Sequence, residues 1–454
     1  MKTELQKDSL GIVQSILIGV AGSAPSYSIS ATLVALIAAV GVLAPASLLY
    51  CGFLMIGIVL AYMHLNQHRP NSGASYSWVS EIFNAKLGFF AGWTILVASA
   101  LFMASASIPA GSATLMLLHS PYAESQFAVT LCALGWLVAI TLMVVRGIGL
   151  TSKVQIVMTL IELTIIFICC VGIVLKFGAN AIHQLTWAEF SPWAFTPSSF
   201  SNGAVIALFF FWGWDVAINL TEETKNPEKG PGFGIVGAMI IILAAFVAFA
   251  SVSLMALNDE ELTQSGTNII FVVAEKMIPR PWSYLAVLAL ILSTIGTIET
   301  SMLQFSRTMF SKSRDGVFHS RWAKVHASWR TPYLATFLIA AFGIITLLLS
   351  LGSSSIAEVM TASINIIGVQ AAYYYGLAGF ACAWNFRKQA ITSPKLFITM
   401  LLWPAISAIA LWIVGVLAML GFNELTLAIA VGTLLMGFIP MSRMRRHKQT
   451  TGAD

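Results

Sequence analysis

The sequence predicts an all-α polytopic membrane protein of twelve transmembrane helices with both termini cytoplasmic. Three observations carry this reading. Only 9% of the 454 residues are Asp, Glu, Lys or Arg, against roughly 25% in an ordinary soluble domain. Apolar residues supply 58% of the chain and its mean hydropathy is +0.84. Long charge-free intervals recur, and the cations between them fall mainly on one side. A soluble fold lacks the polar surface it needs at this composition, and a disordered chain would collapse or insert. The five cysteines, Cys51, Cys132, Cys169, Cys170 and Cys382, lie in or beside apolar segments and make no disulfide scaffold.

Ser9 to His68 runs 60 residues without a formal charge, room for two helices of about 20 residues each. These are expected at 13–38 and 44–65. The next three are expected at 87–118, 126–145 and 154–175, the last apolar except for Glu162. The sixth to eighth follow at 201–220, 233–256 and 283–306, and the ninth to twelfth at 332–351, 356–383, 397–419 and 425–441. With both termini inside, 21 of the 24 Lys and Arg residues are cytoplasmic, and only Lys176, Lys276 and Arg280 lie outside. That asymmetry is the positive-inside signal. The first helix leads directly into a second span and reads as an anchor rather than a signal peptide. The longest cytoplasmic link, 307–330, is basic and reads as an orientation signal. The acidic outer loop 258–282 is expected to pack as a short helix over the bundle.

Two spans carry interruptions. The first contains Gly19-Val20-Ala21-Gly22-Ser23-Ala24-Pro25-Ser26-Tyr27-Ser28. Pro25 cannot donate a helical hydrogen bond, and the glycines lower the cost of leaving helical geometry. The serine hydroxyls are placed to satisfy freed backbone groups or to contact a solute, and a kinked packing helix is the competing reading. The sixth contains Phe209-Phe210-Phe211-Trp212-Gly213-Trp214-Asp215. A carboxylate in a spanning helix is costly and usually faces a cavity or a partner. Spans one and six are equivalent if helices 1–5 and 6–10 form two halves of opposite topology, and interrupted helices at matching positions mark the substrate site in many secondary transporters. The chain then divides into a tail (1–12), a first inverted repeat (13–175), an external loop (176–200), a second repeat (201–384), helices 11 and 12 (385–441) and a cytoplasmic tail (442–454).

Three stretches then resemble one family. They are Arg69-Pro70-Asn71-Ser72-Gly73-Ala74-Ser75-Tyr76-Ser77-Trp78 with Leu87-Gly88-Phe89-Phe90-Ala91-Gly92-Trp93, then Glu222-Glu223-Thr224-Lys225-Asn226-Pro227, and then Ser306-Arg307-Thr308 with Arg314-Asp315-Gly316. In that order, each on the predicted inner side, they resemble the amino acid–polyamine–organocation superfamily of transporters, in the form of a bacterial amino acid permease. The resemblance implies a 5+5 inverted-repeat core of the leucine-transporter type with two peripheral helices. It implies that Gly22, Ser23 and Ala24 meet the substrate's carboxylate through backbone N–H groups, with Ala21 and Ser26 beside them as further substrate-binding candidates. It also implies that Phe211, Trp212, Gly213 and Trp214 receive its amino group and gate the cavity, and Asp215, next in the chain, is a further substrate-binding candidate. Pro25 departs from the family's pattern and leaves room for an amine without a carboxylate.

Glu162 stands where proton-coupled relatives often carry a lysine. Proton coupling, attraction of a cationic substrate, or a merely hydrogen-bonded buried acid all fit it. Glu299 and Glu358 are further acids within predicted spans. Glu162, Asp215 and Glu299 are the candidates for ion or proton coupling, with protons ahead of sodium. Hydroxyls Ser293, Thr294, Thr297, Thr300 and Ser301 on span eight suit either sodium or helix packing. The span-ten polar group, Ser363, Asn365, Gln370 and Tyr373 to Tyr375, suits a substrate path or packing equally.

The function expected is secondary active transport of an amino acid or related organic amine across the cytoplasmic membrane. Coupling is expected to be to protons or by exchange. A polyamine or decarboxylated-amine importer or antiporter, and a sodium-coupled symporter, stay open, as does a non-transporting amino-acid sensor. No enzyme activity, cofactor, metal or nucleic-acid partner is expected, because the seven His residues show no metal-ligand spacing and the net charge of +5 is accounted for by orientation. The partners expected are the lipid bilayer and the solute, with the protein a monomer or homodimer.

Overall fold

The computed structural model describes residues 4–352 and 356–442, with the side chains of 356–360 excepted. The side chain of Glu358 and the cations Lys2, Arg443, Arg445, Arg446 and Lys448 therefore lie outside the described residues. Among the described residues the fold is all-helical, with one isolated parallel bridge between Leu10 and Thr224 and no strand.

The first predicted span is two helices, α1 (Ile12–Ser23) and α2 (Pro25–Val40). There follow α3 (Ala44–His68), the short α4 (Ser75–Ile82), α5 (Ala85–Leu117), α6 (Gln126–Val145) and α7 (Ile148–Phe177). Asn84 starts α5 by accepting from the N–H groups of Lys86 and Leu87, both at 3.0 Å, a standard way to satisfy freed amides at a helix start. The sixth span begins as α8 (Pro197–Phe210), leaves helical geometry, and resumes for one turn as α9 (Val216–Asn219). Next come α10 (Gly230–Ala256), α11 (Asp259–Ser265), α12 (Ile269–Met277) and α13 (Leu285–Arg314). The acidic loop 258–282 thus contains helices α11 and α12. Asn258 and Glu261 form a reciprocal capping box at its start, and Lys276 pairs with Glu261. The chain closes with α14 (Tyr333–Ser350), α15 (Ile356–Ala390), α16 (Pro394–Leu396), a π-helical turn at Phe397–Leu402, α17 (Trp403–Leu420), α18 (Glu424–Leu435) and α19 (Phe438–Ser442).

Ten stretches among the described residues are long and apolar enough to cross a membrane. The first, Ile12–His68, contains two of the predicted spans. The sixth predicted span is not among the ten, because α8 is only 14 residues long before it breaks.

Helix α13 lies at the centre, packed on α5, α7, α14, α6, α1 and α2. It runs eight residues past the predicted end of span eight, and nearly every residue along it is buried. Helix α1 packs against α10, α7 and α13, and α2 against α8 and α13. The outward faces of α7, α17 and α18 expose Phe167, Leu175, Leu420 and Leu425, the apolar surface a bilayer covers. The break between α1 and α2 is thereby held in the interior, enclosed by α7, α10 and α13.

Candidate functional site

The first helix breaks at Ala24, which adopts left-handed geometry (φ 46°) between Ser23 and Pro25. Pro25 then occupies the first position of α2, where a missing N–H costs nothing. The sixth span breaks over 211–215, with Gly213 at φ 98°. The two breaks touch backbone to backbone. A Cβ on Gly22 would lie 2.1 Å from the Gly213 carbonyl oxygen, and one on Gly213 would lie 2.3 Å from that of Gly22. Only glycine fits at both positions, and Gly213 also needs its positive φ.

Every backbone donor at the start of α2 has a partner inside the protein. The Ala24 N–H donates back to Val20 O at 3.0 Å and Ala21 O at 3.2 Å. Pro25 has none to give. The Ser26 N–H donates to Glu162 Oε1 at 2.8 Å, and the Tyr27 N–H to Ser293 Oγ at 3.1 Å. Two carbonyls freed by the break are also covered, Gly22 O by Thr297 Oγ1 at 3.0 Å and Ser23 O by Ser28 Oγ at 2.7 Å. Against this, the buried side-chain atoms Ser23 Oγ, Ser26 Oγ, Tyr27 OH, Ser30 Oγ and Trp212 Nε1 have no partner among the described residues. Buried polar atoms are normally paired; Ser26 stands beside Glu162, Tyr27 beside Ser105 and Trp212 beside Tyr374, which leaves Ser23 and Ser30 as the clearest free hydroxyls near the break.

Aromatic rings surround the same place. Tyr27 meets Phe102 edge-on at 5.6 Å and Phe209 at 6.3 Å, and Phe102 meets Trp212 at 4.8 Å. A cavity of about 500 Å³ extends from Tyr27 and Ser30, past Ile108 and Phe271, to Glu124 and Asn268. Glu124 is the only charged side chain lining it among the described residues.

The structure thus brings Gly22, Ser23, Ala24, Ser26, Trp212, Gly213 and Glu162 together, with Ala21 supplying a carbonyl to the break. It turns the other predicted residues elsewhere. Phe211 packs on Phe246 of α10 at 5.6 Å. Trp214 stacks on Tyr375 at 5.2 Å, with Tyr62 edge-on to it. Asp215 is fully buried and fully partnered, Oδ1 accepting from Tyr375 OH at 2.7 Å and Oδ2 from Gln304 Nε2 at 2.8 Å. It ties the sixth span to α13 and α15. Glu299 is two residues from Thr297 on α13, about 200° around the helix from the side that meets Gly22. Its buried Oε2 has no partner among the described residues.

Sequence reasoning missed a second assembly, at the end it assigns to the cytoplasm. Arg307 is fully buried and forms a two-pronged pair with Glu223, both bonds 2.9 Å. Arg314 grips Glu222 at 2.8 and 3.0 Å, and Glu222 also accepts the Ser72 N–H at 3.1 Å. Tyr76 OH donates to Asp315 at 3.0 Å, and Asn219 Nδ2 donates to Ser72 O at 2.9 Å. Buried Lys312 donates to Phe89 O at 2.8 Å and sits 4.1 Å from the centre of the Phe89 ring. The N-terminal segment joins in, as Ser9 N–H donates to Glu223 O at 2.8 Å and Lys225 N–H to Leu10 O at 2.8 Å. Burial pushes the Glu222 carboxyl up, but the Arg314 guanidinium and the Ser72 N–H outweigh it and hold the group below the usual carboxylate range. The available signal was that the three family-like stretches all fall on the predicted inner side; the structure puts them in one cluster.

Residues 10–441 match the family model for amino acid permeases. A serine/threonine exchanger of Bacillus subtilis is 24% identical over 391 residues, covering 85% of this chain and 84% of its own length. A low-affinity putrescine importer of Escherichia coli is 26% identical over 376 residues, covering 80% and 79%. Among solved structures, a manganese transporter of Eremococcus coleocola shares the fold with a TM-score of 0.64 at 12% identity, over 95% of this chain and 94% of its own.

Proposed function

This chain belongs to the amino acid permease family as a multi-pass transporter of the cytoplasmic membrane, and we propose that it carries an amino acid or related organic amine by alternating access, driven by protons or by exchange. The proposal includes twelve spans, both termini inside, and two inverted repeats spanning helices 1–5 and 6–10. The observation that carries it is the meeting of the two breaks, at Gly22 and Gly213, a few residues before Tyr27 and Ser30, whose hydroxyls stand at the inner end of a cavity of about 500 Å³. A solute entering by the cavity meets Tyr27 and Ser30 at its inner end, with Ser26 next to Tyr27 in the chain and Trp212 behind Phe102. Beyond the breaks, the Arg307–Glu223 and Arg314–Glu222 pairs join the loop after span six to the end of α13, and the Ser72 N–H on Glu222 adds the loop after span two. That combination suits a state open to the outer side and shut on the inner one.

Of the three acids proposed for coupling, Glu162 bonds to the break itself, so coupling is assigned to it first. Asp215 has a full set of partners and Glu299 lies off the break, which supports a lesser part for each. The test is purified protein in proteoliposomes, given radiolabelled amino acids and amines under imposed proton or sodium gradients. Uptake of at least one solute, accelerated by a proton gradient or by internal substrate, is expected. Flux of neither solute class overturns the proposal. Binding without flux would make the protein a sensor instead. Glu162→Gln is expected to flatten the pH dependence of uptake, and an unchanged profile would remove Glu162 from coupling.

A further inference from the structure

An α-helix start carries partial positive charge and free N–H groups, so it is a ready seat for an anion. At the start of α2 that seat has no vacancy. Ala24 spends its N–H on α1, Pro25 has none, Ser26 gives its N–H to Glu162 Oε1 at 2.8 Å, and Tyr27 gives its own to Ser293 Oγ at 3.1 Å. The carboxyl group comes from α7, 136 residues away in sequence, and is itself buried. A solute carboxylate arriving here would find no backbone donor and would lie against another carboxyl oxygen. What remains beside the break is hydroxyls and the four aromatic rings of Tyr27, Phe102, Phe209 and Trp212. Aromatic faces attract ammonium groups. The approach carries Glu124, the only charged side chain lining the cavity among the described residues.

We propose that Glu162 is a specificity-determining residue: its carboxyl group fills the anion seat of the broken first helix, so the site selects an organic ammonium that lacks a carboxylate. This rests on the transport reading above and narrows its substrate class. Whether Glu162 is ionised or neutral, its Oε1 occupies the Ser26 N–H, so the exclusion is one of occupancy and does not depend on charge alone.

The test uses matched pairs that differ by one carboxylate: putrescine and ornithine, tyramine and tyrosine, isobutylamine and valine. Binding to the purified full chain and competition for uptake in proteoliposomes are both read. In the pair that the protein binds, the amine is expected to bind at least ~10-fold more tightly, the value of about one charged hydrogen bond. Glu162→Ala, checked for a monodisperse size-exclusion peak, frees the Ser26 N–H and is expected to narrow that ratio by about 10-fold. Glu162→Gln keeps an oxygen for Ser26 and is expected to retain the preference, which keeps the proposal testable if the alanine variant misfolds. Amino acids binding as well as their amines, to the wild type or to Glu162→Gln, overturn this inference and leave the transport reading standing. Binding and flux of no member of any pair overturn both.

Discussion

Replacing Gly22 by alanine tests the contact on which the site depends. The added Cβ would sit 2.1 Å from the Gly213 carbonyl oxygen and 2.8 Å from its carbon. Ordinary contact begins at 3.4 Å, so the two breaks must separate by about 1.3 Å. The obstacle is backbone on both sides, held by Thr297 Oγ1 on Gly22 O and by Tyr375 OH, which accepts the Gly213 N–H at 3.3 Å. No flexible side-chain tip is there to swing away. Overpacking of a close-packed interior costs about 1–3 kcal/mol, and at 1.4 kcal/mol per decade that depopulates the joined geometry roughly 5- to 140-fold. Gly213→Ala adds the strain of a side chain at φ 98°, a further ~1–2 kcal/mol. The assay is initial uptake rate in proteoliposomes at matched protein density, with size-exclusion profiles to establish folding. Uptake at least ~5-fold below wild type is expected for Gly22→Ala, and lower still for Gly213→Ala. Gly432→Ala is the control, since its Cβ would meet nothing within 4 Å. Near-normal uptake by a folded Gly22→Ala would refute the reasoning, because a site built on touching backbones cannot absorb a 1.3 Å separation.

Two further predictions concern the inner cluster. Arg307→Ala leaves Glu223 buried without its cation and is expected to cost about 3–5 kcal/mol, read by thermal unfolding in detergent. The Arg307→Ala/Glu223→Ala double variant should recover part of that loss, and strictly additive effects would mean that the two do not act as a pair. The Glu222 carboxyl is held below its ordinary value of 4.5, so its stabilising link from Arg314 to Ser72 is complete above that value and is lost as pH falls below it. Hydrogen exchange of the 70–78 segment, corrected for intrinsic rate, should converge with that of Glu222→Gln as pH drops. Parallel curves for the two proteins would refute it.

Much of the fold is legible along the chain. Apolar runs locate the spans, and Pro25 with Gly22, and Gly213 among its aromatics, locate both breaks. The acidic outer loop declares its helix through Asn258 and Glu261. The length of α13 is not legible, because Arg307 and Lys312 look like a loop's orienting charges. Only Glu223 and the Phe89 carbonyl and ring, brought from other elements, let them stay helical and buried. Asp215 is a comparable case. In sequence it is a costly lone acid at a break, whereas the fold surrounds it with Tyr374, Tyr375 and Gln304.

By itself the sequence determined that this protein lives in a membrane, where its helices lie and which of them break. Those properties are local sums: transfer of a segment into lipid adds residue by residue, and a proline removes its own hydrogen bond wherever it stands. Tertiary structure alone decided what the breaks do with their freed groups. That Glu162 takes the amide of Ser26, and that Gly22 meets Gly213, follow from packing α7, α8 and α13 around α1. A hydrogen bond is short and directional, and no spacing along the chain states which distant residue will stand within 3 Å.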